Sequence, residues 1–228
     1  MAHIAILGLG NWGTAVARMW LLDGHKVKGW TIEQEVYESI TMDGINKKYL
    51  PDHSVEGLEA TMRVDEALDG VEIVVLAIPS SVILDVVDDI IPHLRPGHVL
   101  IDLAKGLAPG KRLISEAINE KLDAANKHNT LAVVTGPTIA PEAAGGVITT
   151  ALVASEDESV AKRLAETLTT QTFILHSASD PVGAELWGAF KNVIALTCGL
   201  VDGLKTVSYT HLRAHETVLD LVCRLLLE

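Results

Sequence analysis

The stretch HIAILGLGNWGTAVARMWLLDG, His3 to Gly24, decides the fold. HIAILG is a short apolar run of the kind that forms a buried strand. NWGTAVARMWLLDG follows with helical character and is stopped by Gly24. Between them Gly8-Leu9-Gly10-Asn11-Trp12-Gly13 has the spacing G-x-G-x-x-G. The spacing alone is weak, but a preceding strand and a following helix are the context its mechanism demands. Gly8 permits the tight turn, Gly10 lets backbone approach a pyrophosphate, and Gly13 lets the helix pack on the strand. Free N–H groups at the helix start then face the phosphates. The reading is a dinucleotide-binding turn.

Outward from this turn, apolar runs alternate with helical stretches. KVKGW, VEIVVLAIP, HVLIDLAKG, TLAVVTGP, TTALVAS and TFILHS are read as further strands. SSVILDVVDDIIPHL, RLISEAINEKLDAANK and ESVAKRLAETLTT are read as helices, with Ser80 or Ser81 as the cap of the first. Alternation of this kind predicts an α/β fold with a Rossmann-type, doubly wound, mostly parallel sheet. The strands are apolar on both faces, as a sheet covered on both sides requires. From Pro181 the pattern changes to PVGAELWGAFKNVIALTCGLVDGL, a long helix with apolar residues on most sides. Asp180 suits its cap and Pro181 its first turn. The expected organisation is a nucleotide-binding domain over 1–180, the first helix of a second, helical domain over 181–205, and a distinct tail over 206–228.

Composition narrows the function. The chain has 228 residues, 48% hydrophobic and 21% charged, with a net charge of −12. That balance suits a soluble protein and argues against a nucleic-acid surface. Cys198 and Cys223 make neither a disulfide framework nor a zinc cluster, which fits a reducing cytoplasm. MAHIAILGLGNWG has no charged leader ahead of a long apolar run, so no signal peptide is expected. No apolar run long enough to span a membrane is seen.

Several residues outside the glycine turn are candidates for chemistry. An acidic residue after the second strand would meet the adenosine ribose, and GWTIEQE offers Glu33, a little late. No arginine stands near it, which leans slightly towards NAD over NADP, because a 2′-phosphate wants a cation. Glu33 as a solvated helix-start residue is the plain alternative. Lys105, in IDLAKG, lies past the carboxyl end of a strand, where parallel sheets bind ligands. Lys191-Asn192 lies inside the apolar helix, among Trp187, Phe190, Val193 and Ile194. A lysine there is costly unless its charge has a use, or unless it snorkels to the surface. TGPTIAPE, Thr135 to Glu142, follows a strand and taken alone is a loop with turn chemistry.

Together, GLGNWGTAVA, NKKYLPD (46–52), VVLAIPSSVI, AKG around Lys105, GPTIAPE and FKNVIALTCGLVDGL resemble the NAD(P)-dependent glycerol-3-phosphate dehydrogenases, in that family's order, from His3 to about Leu204. The resemblance implies reversible hydride transfer between NAD or NADP and dihydroxyacetone phosphate or glycerol 3-phosphate. It also implies a cytoplasmic enzyme feeding glycerophospholipid synthesis, a homodimer at full length. By resemblance Lys191 is the proton donor in reduction and the base in oxidation, and Lys105 holds the reacting carbonyl and touches the cofactor. Gly136, Thr138 and Asn192 match substrate positions, and Asn11, Trp12 and Ala140 match cofactor positions. Two neighbouring lysines depress one another's pKa, easing proton exchange near neutrality. A non-catalytic NAD(P)-binding fragment, or another dehydrogenase joining such a domain to helices, would share the glycine turn. The motif set favours the glycerol-3-phosphate dehydrogenases over the second.

The family continues after GLVDGL with helices that finish the substrate site, whereas this chain reads KTVSYTHLRAHETVLDLVCRLLLE. His211 and His215 have the spacing of a metal-binding pair on a helix. Yet Val207–His215 can be written GTC TCT TAT ACA CAT CTC CGA GCC CAC, and Leu221–Leu227 CTC GTA TGC CGT CTT CTG CTT. Both resemble one sequencing adapter read across an index-sized gap. The expectation is therefore a truncated chain whose tail is reagent-derived, with no metal site.

Overall fold

The computed structural model describes residues 1–204, so the reading of 207–228 as adapter, with Cys223, His211 and His215, lies outside the described residues. The elements run β1 (His3–Leu7), α1 (Asn11–Leu22), β2 (Lys26–Trp30), α2 (Gln34–Asp43), β3 (Glu59–Thr61), α3 (Val64–Leu68), β4 (Ile73–Leu76) and α4 (Ile83–Ile90). After a 3₁₀ turn at Ile91–His93 come β5 (Val99–Asp102), α5 (Ile114–Ala124), β6 (Leu131–Thr135), α6 (Ala140–Ala144), β7 (Thr149–Ser155), α7 (Glu158–Leu168), β8 (Phe173–Ala178) and α8 (Pro181–Leu204).

The strands form one eight-stranded sheet in the order β3-β2-β1-β4-β5-β6-β7-β8. Every neighbouring pair is parallel except β6 and β7. This is the expected doubly wound α/β architecture. The chain winds outward from β1 to β3, then crosses back to place β4 on the other side of β1. The crevice beyond the carboxyl ends of β1 and β4 is thus the topological switch point, where such sheets bind ligands.

The alternation of β1 explains the two layers. Ile4 and Ile6 face one apolar cluster with Val16, Trp20 and Phe173, while Ala5 and Leu7 face another with Leu68, Ile90 and Ile114. Each fully buried aliphatic side chain contributes roughly 1.5–3 kcal/mol. A strand covered on both faces therefore has no polar side to spare.

The structure departs from the sequence expectation in two respects. Neither Ser80 nor Ser81 caps α4; Val82 is the cap residue, without a side-chain bond. The turn after β4 closes first, Val82 N–H donating to the Pro79 carbonyl at 3.0 Å, so the helix starts later. Three helices and one strand, α2, α3, α6 and β3, were not expected, being short or sparsely apolar. Asp180 does cap α8, its Oδ1 accepting from Gly183 N–H at 2.8 Å. Among the described residues no helix is long and apolar enough to cross a membrane.

Candidate active site

The glycine turn sits where β1 hands over to α1. Gly8 has φ +102°, a left-handed conformation that strains any L side chain, and a Cβ there would strike the Ala77 carbonyl after β4. A Cβ on Gly13 would strike Gly8 and come within 3.0 Å of the Ala77 Cβ, so helix and strands meet at bare backbone. Above Gly10 the space is open. Gly10 is the cap of α1, with no side-chain bond and no acidic residue in the first turn. The leading amides therefore stay available to an anion.

A cleft of about 810 Å³ opens from this turn. Its walls include Gly8, Gly10, Asn11, Trp12, Gly13, Glu33, Tyr49, Lys105, Thr138 and Ala140. Gly136 and Lys191 are not among its walls, and the side chain of Asn192 is outside the described ones. At Gly136 a Cβ would lie 2.8 Å from the Thr150 carbonyl, so close approach to β7 accounts for the glycine. Trp12 also meets Phe173 edge-on, centroids 6.0 Å apart.

One end of the cleft is built by NKKYLPD. Asn46 is fully buried; its amide donates to the Leu9 carbonyl at 2.8 Å and to Thr14 Oγ1 at 2.9 Å, and its Oδ1 accepts from Tyr49 N–H at 3.2 Å. The loop is thereby pinned to the glycine turn, and it carries Tyr49 and Lys48 to Glu33. Tyr49 Oη donates to Glu33 at 2.8 Å, and the Lys48 ammonium bridges Glu33 and Glu35. Lys48, then Tyr49, hold the Glu33 carboxyl below its usual range. The lean towards NAD rested on the absence of an arginine near Glu33; Lys48, 15 residues further on, puts a cation there and removes that ground.

Of the two lysines, Lys105 lines the cleft and Lys191 lies outside its walls. Lys105 follows β5 and its Nζ lies 3.4 Å from Thr138 Oγ1. Burial, and then the positive charge of Lys191, pull Lys105 below the usual lysine range. Lys191 is on α8, which crosses the end of β6 so closely that a Cβ on Gly188 would lie 2.7 Å from Thr135 Oγ1.

Two further polar groups escaped the sequence reading. Asp102, ending β5, is fully buried; one oxygen accepts from Ala104 N–H at 2.8 Å and Oδ2 has no partner. Burial pushes its pKa up to about 7; the Ala104 amide opposes the rise and the charge of Glu185 adds to it. Glu185, on α8, is 3% exposed and accepts from the Ile114 and Ser115 amides and the Ser115 hydroxyl. Each was legible as a carboxylate set in an apolar run.

A doubly wound sheet with a glycine-turn cleft lined by Lys105 is the arrangement of nucleotide-dependent dehydrogenases. The family model described as NAD-dependent glycerol-3-phosphate dehydrogenase N-terminus matches residues 3–161, and the corresponding C-terminus model matches 180–225. The chain belongs to the NAD-dependent glycerol-3-phosphate dehydrogenase family. It is 40% identical over 206 residues to the glycerol-3-phosphate dehydrogenase [NAD(P)+] of Exiguobacterium sp., covering 90% of this chain and 60% of that protein. Among solved structures it resembles glycerol-3-phosphate dehydrogenase from Coxiella burnetii, at 34% identity and TM-score 0.83, covering 91% of this chain and 63% of that one. The yeast enzyme superposes with TM-score 0.78 at 27% identity, covering 91% and 65%. The chain thus spans about 60% of the length of the curated relatives it matches.

Proposed function

We propose that the protein catalyses the reversible NAD(P)H-dependent reduction of dihydroxyacetone phosphate to glycerol 3-phosphate in the cytoplasm, feeding glycerophospholipid synthesis, as a homodimer at its relatives' length. The observation that carries this reading is Lys105, set just past β5 in the wall of the nucleotide cleft beside Thr138, with the positive charge of Lys191 on α8 acting on it. The residues present fit a dinucleotide: the space above Gly10 is open and the α1 amides are uncapped.

The nicotinamide, when bound, supplies or takes the hydride at the central carbon. The chain's own residues handle the oxygen. Hydride arriving at a ketone carbon leaves negative charge on oxygen, which a nearby ammonium stabilises and protonates. Lys191 is assigned the proton and Lys105 the grip on the carbonyl, oriented by Thr138. Gly136 and Asn192 are assigned to the substrate, and Asn11, Trp12 and Ala140 to the cofactor.

In the protein at the length of its relatives, Lys191→Met should lower kcat by roughly 10²–10⁴, the usual contribution of a positioned acid–base group. Binding of NADH, followed by its fluorescence, should stay as it was. The 228-residue chain alone should bind NADH without steady turnover, because the relatives' remaining length falls outside it. Sustained, Lys191-dependent NADH oxidation by this chain would show the site to be complete within it. The C-terminus model runs through most of the stretch read as adapter. Resequencing the locus from source DNA separates the two: return of VSYTHLRAHET sinks the adapter reading.

A further inference from the structure

α8 is held to the sheet in an unusual way. Among the described residues, Ala184 is the one apolar side chain of this helix that is fully enclosed. Trp187 and Phe190 stand 54% and 53% exposed. Apolar burial therefore contributes little to docking, and the buried group that remains is Glu185.

Its carboxylate sits on the start of α5. That helix has no side-chain cap of its own, since Leu113 occupies the cap position. Glu185 supplies the missing acceptor, taking the Ile114 and Ser115 amides and the Ser115 hydroxyl. A carboxylate on helix-start amides combines charge-assisted hydrogen bonds with a favourable dipole. Down one side of α8, steps of three residues lead from Glu185 to Gly188, seated on Thr135, and on to Lys191. A helix slipped by one residue would carry Lys191 about 1.5 Å along the axis and about 100° around it. Misplacement of about 1 Å is enough to cost a reaction heavily.

We propose that Glu185 is a positioning residue of the lysine site: seated on the start of α5, its carboxylate fixes the rotation and height of α8 and so holds Lys191 against Lys105. The proposal rests on the reading of Lys105 and Lys191 as the reacting pair. A residue that merely stabilised the fold would leave the electrostatic coupling of those lysines alone whenever the chain folds.

The coupling can be read in the 228-residue chain by pH-dependent acetylation of Lys105, followed by mass spectrometry, with exposed Lys26 as internal reference. Lys191→Met should raise the Lys105 midpoint. Glu185→Ala should raise it equally with NADH binding retained, and Glu185→Gln, which still presents an acceptor to the amides, should restore it. Glu185→Asp keeps the charge but shortens the reach; it should give a partial rise and carries the test if the alanine variant fails to fold. A shift with K191M but none with E185A or E185D overturns the positioning role alone. No shift with K191M overturns the lysine pairing itself, and the function proposed on it.

Discussion

Asp102 makes stability depend on pH. Its carboxyl is fully enclosed with one oxygen unpartnered, and its pKa in the folded chain is raised to about 7 from 3.8. A raised carboxyl pKa means the folded state favours the protonated form. The stability it lends is complete below the unfolded value and is lost as pH climbs to about 7. Asp102→Asn keeps the shape without the charge, so it should stabilise the chain at pH 8 by on the order of 4 kcal/mol at most, the advantage closing towards pH 4. Urea unfolding across that range measures it; parallel pH profiles for the two proteins would exclude an ionising Asp102. Lys191 stood out in the sequence as a charge inside an apolar run, with a snorkelling lysine as its plain reading, and the resemblance gave it a role; the same signal marks Asp102 and Glu185. What the sequence withheld was the partner of Glu185: nothing in AELWGAF says that its carboxylate reaches the start of α5.

At the scale of elements, the segment from α2 to Asp52 shapes the Glu33 end of the cleft. Asn46 ties it to the glycine turn, and Lys48 neutralises Glu33. Removing that ammonium leaves Glu33 to repel a 2′-phosphate, while ribose hydroxyls can still donate to it. Lys48→Ala should therefore weaken NADPH by roughly threefold, the scale of an exposed ion pair, and leave NADH nearly unchanged. Titration calorimetry of both cofactors decides, and equal losses would exclude a discriminating role. The major strands and long helices were legible because their apolar residues recur with a clear period. The missed elements lack that signal: α2 buries Val36 and Ile40 alone, β3 has three residues, and α6 is five residues opened by Ala140-Pro141. The reversed direction of β7 was illegible for another reason, since an apolar run reads alike whichever way the strand points.

At the scale of the whole molecule, the described chain ends on a helix whose outer side is largely bare. Leu186, Trp187, Phe190, Val193, Leu196 and Leu200 are all exposed. A contiguous apolar patch of this kind drives association. The 228-residue chain should show a sedimentation mass that rises with concentration, and a Trp187→Glu, Phe190→Glu double variant should lower that rise. A constant monomer mass at all concentrations would show that the helix is satisfied as it stands.

The sheet order also sets a timetable. β1 leaves the ribosome before both of its neighbours, and one of them is β4, which opens only at Ile73. At roughly 5–20 residues per second, a few seconds of synthesis separate the completion of β2 from the arrival of that second neighbour. Through the translation of Thr31 to Glu72 one edge of the glycine-bearing strand stands open, a template for wrong pairing. The central strand of the three is made ahead of both neighbours and enclosed late, and the nucleotide cleft comes into being only when Ala77 closes over Gly8.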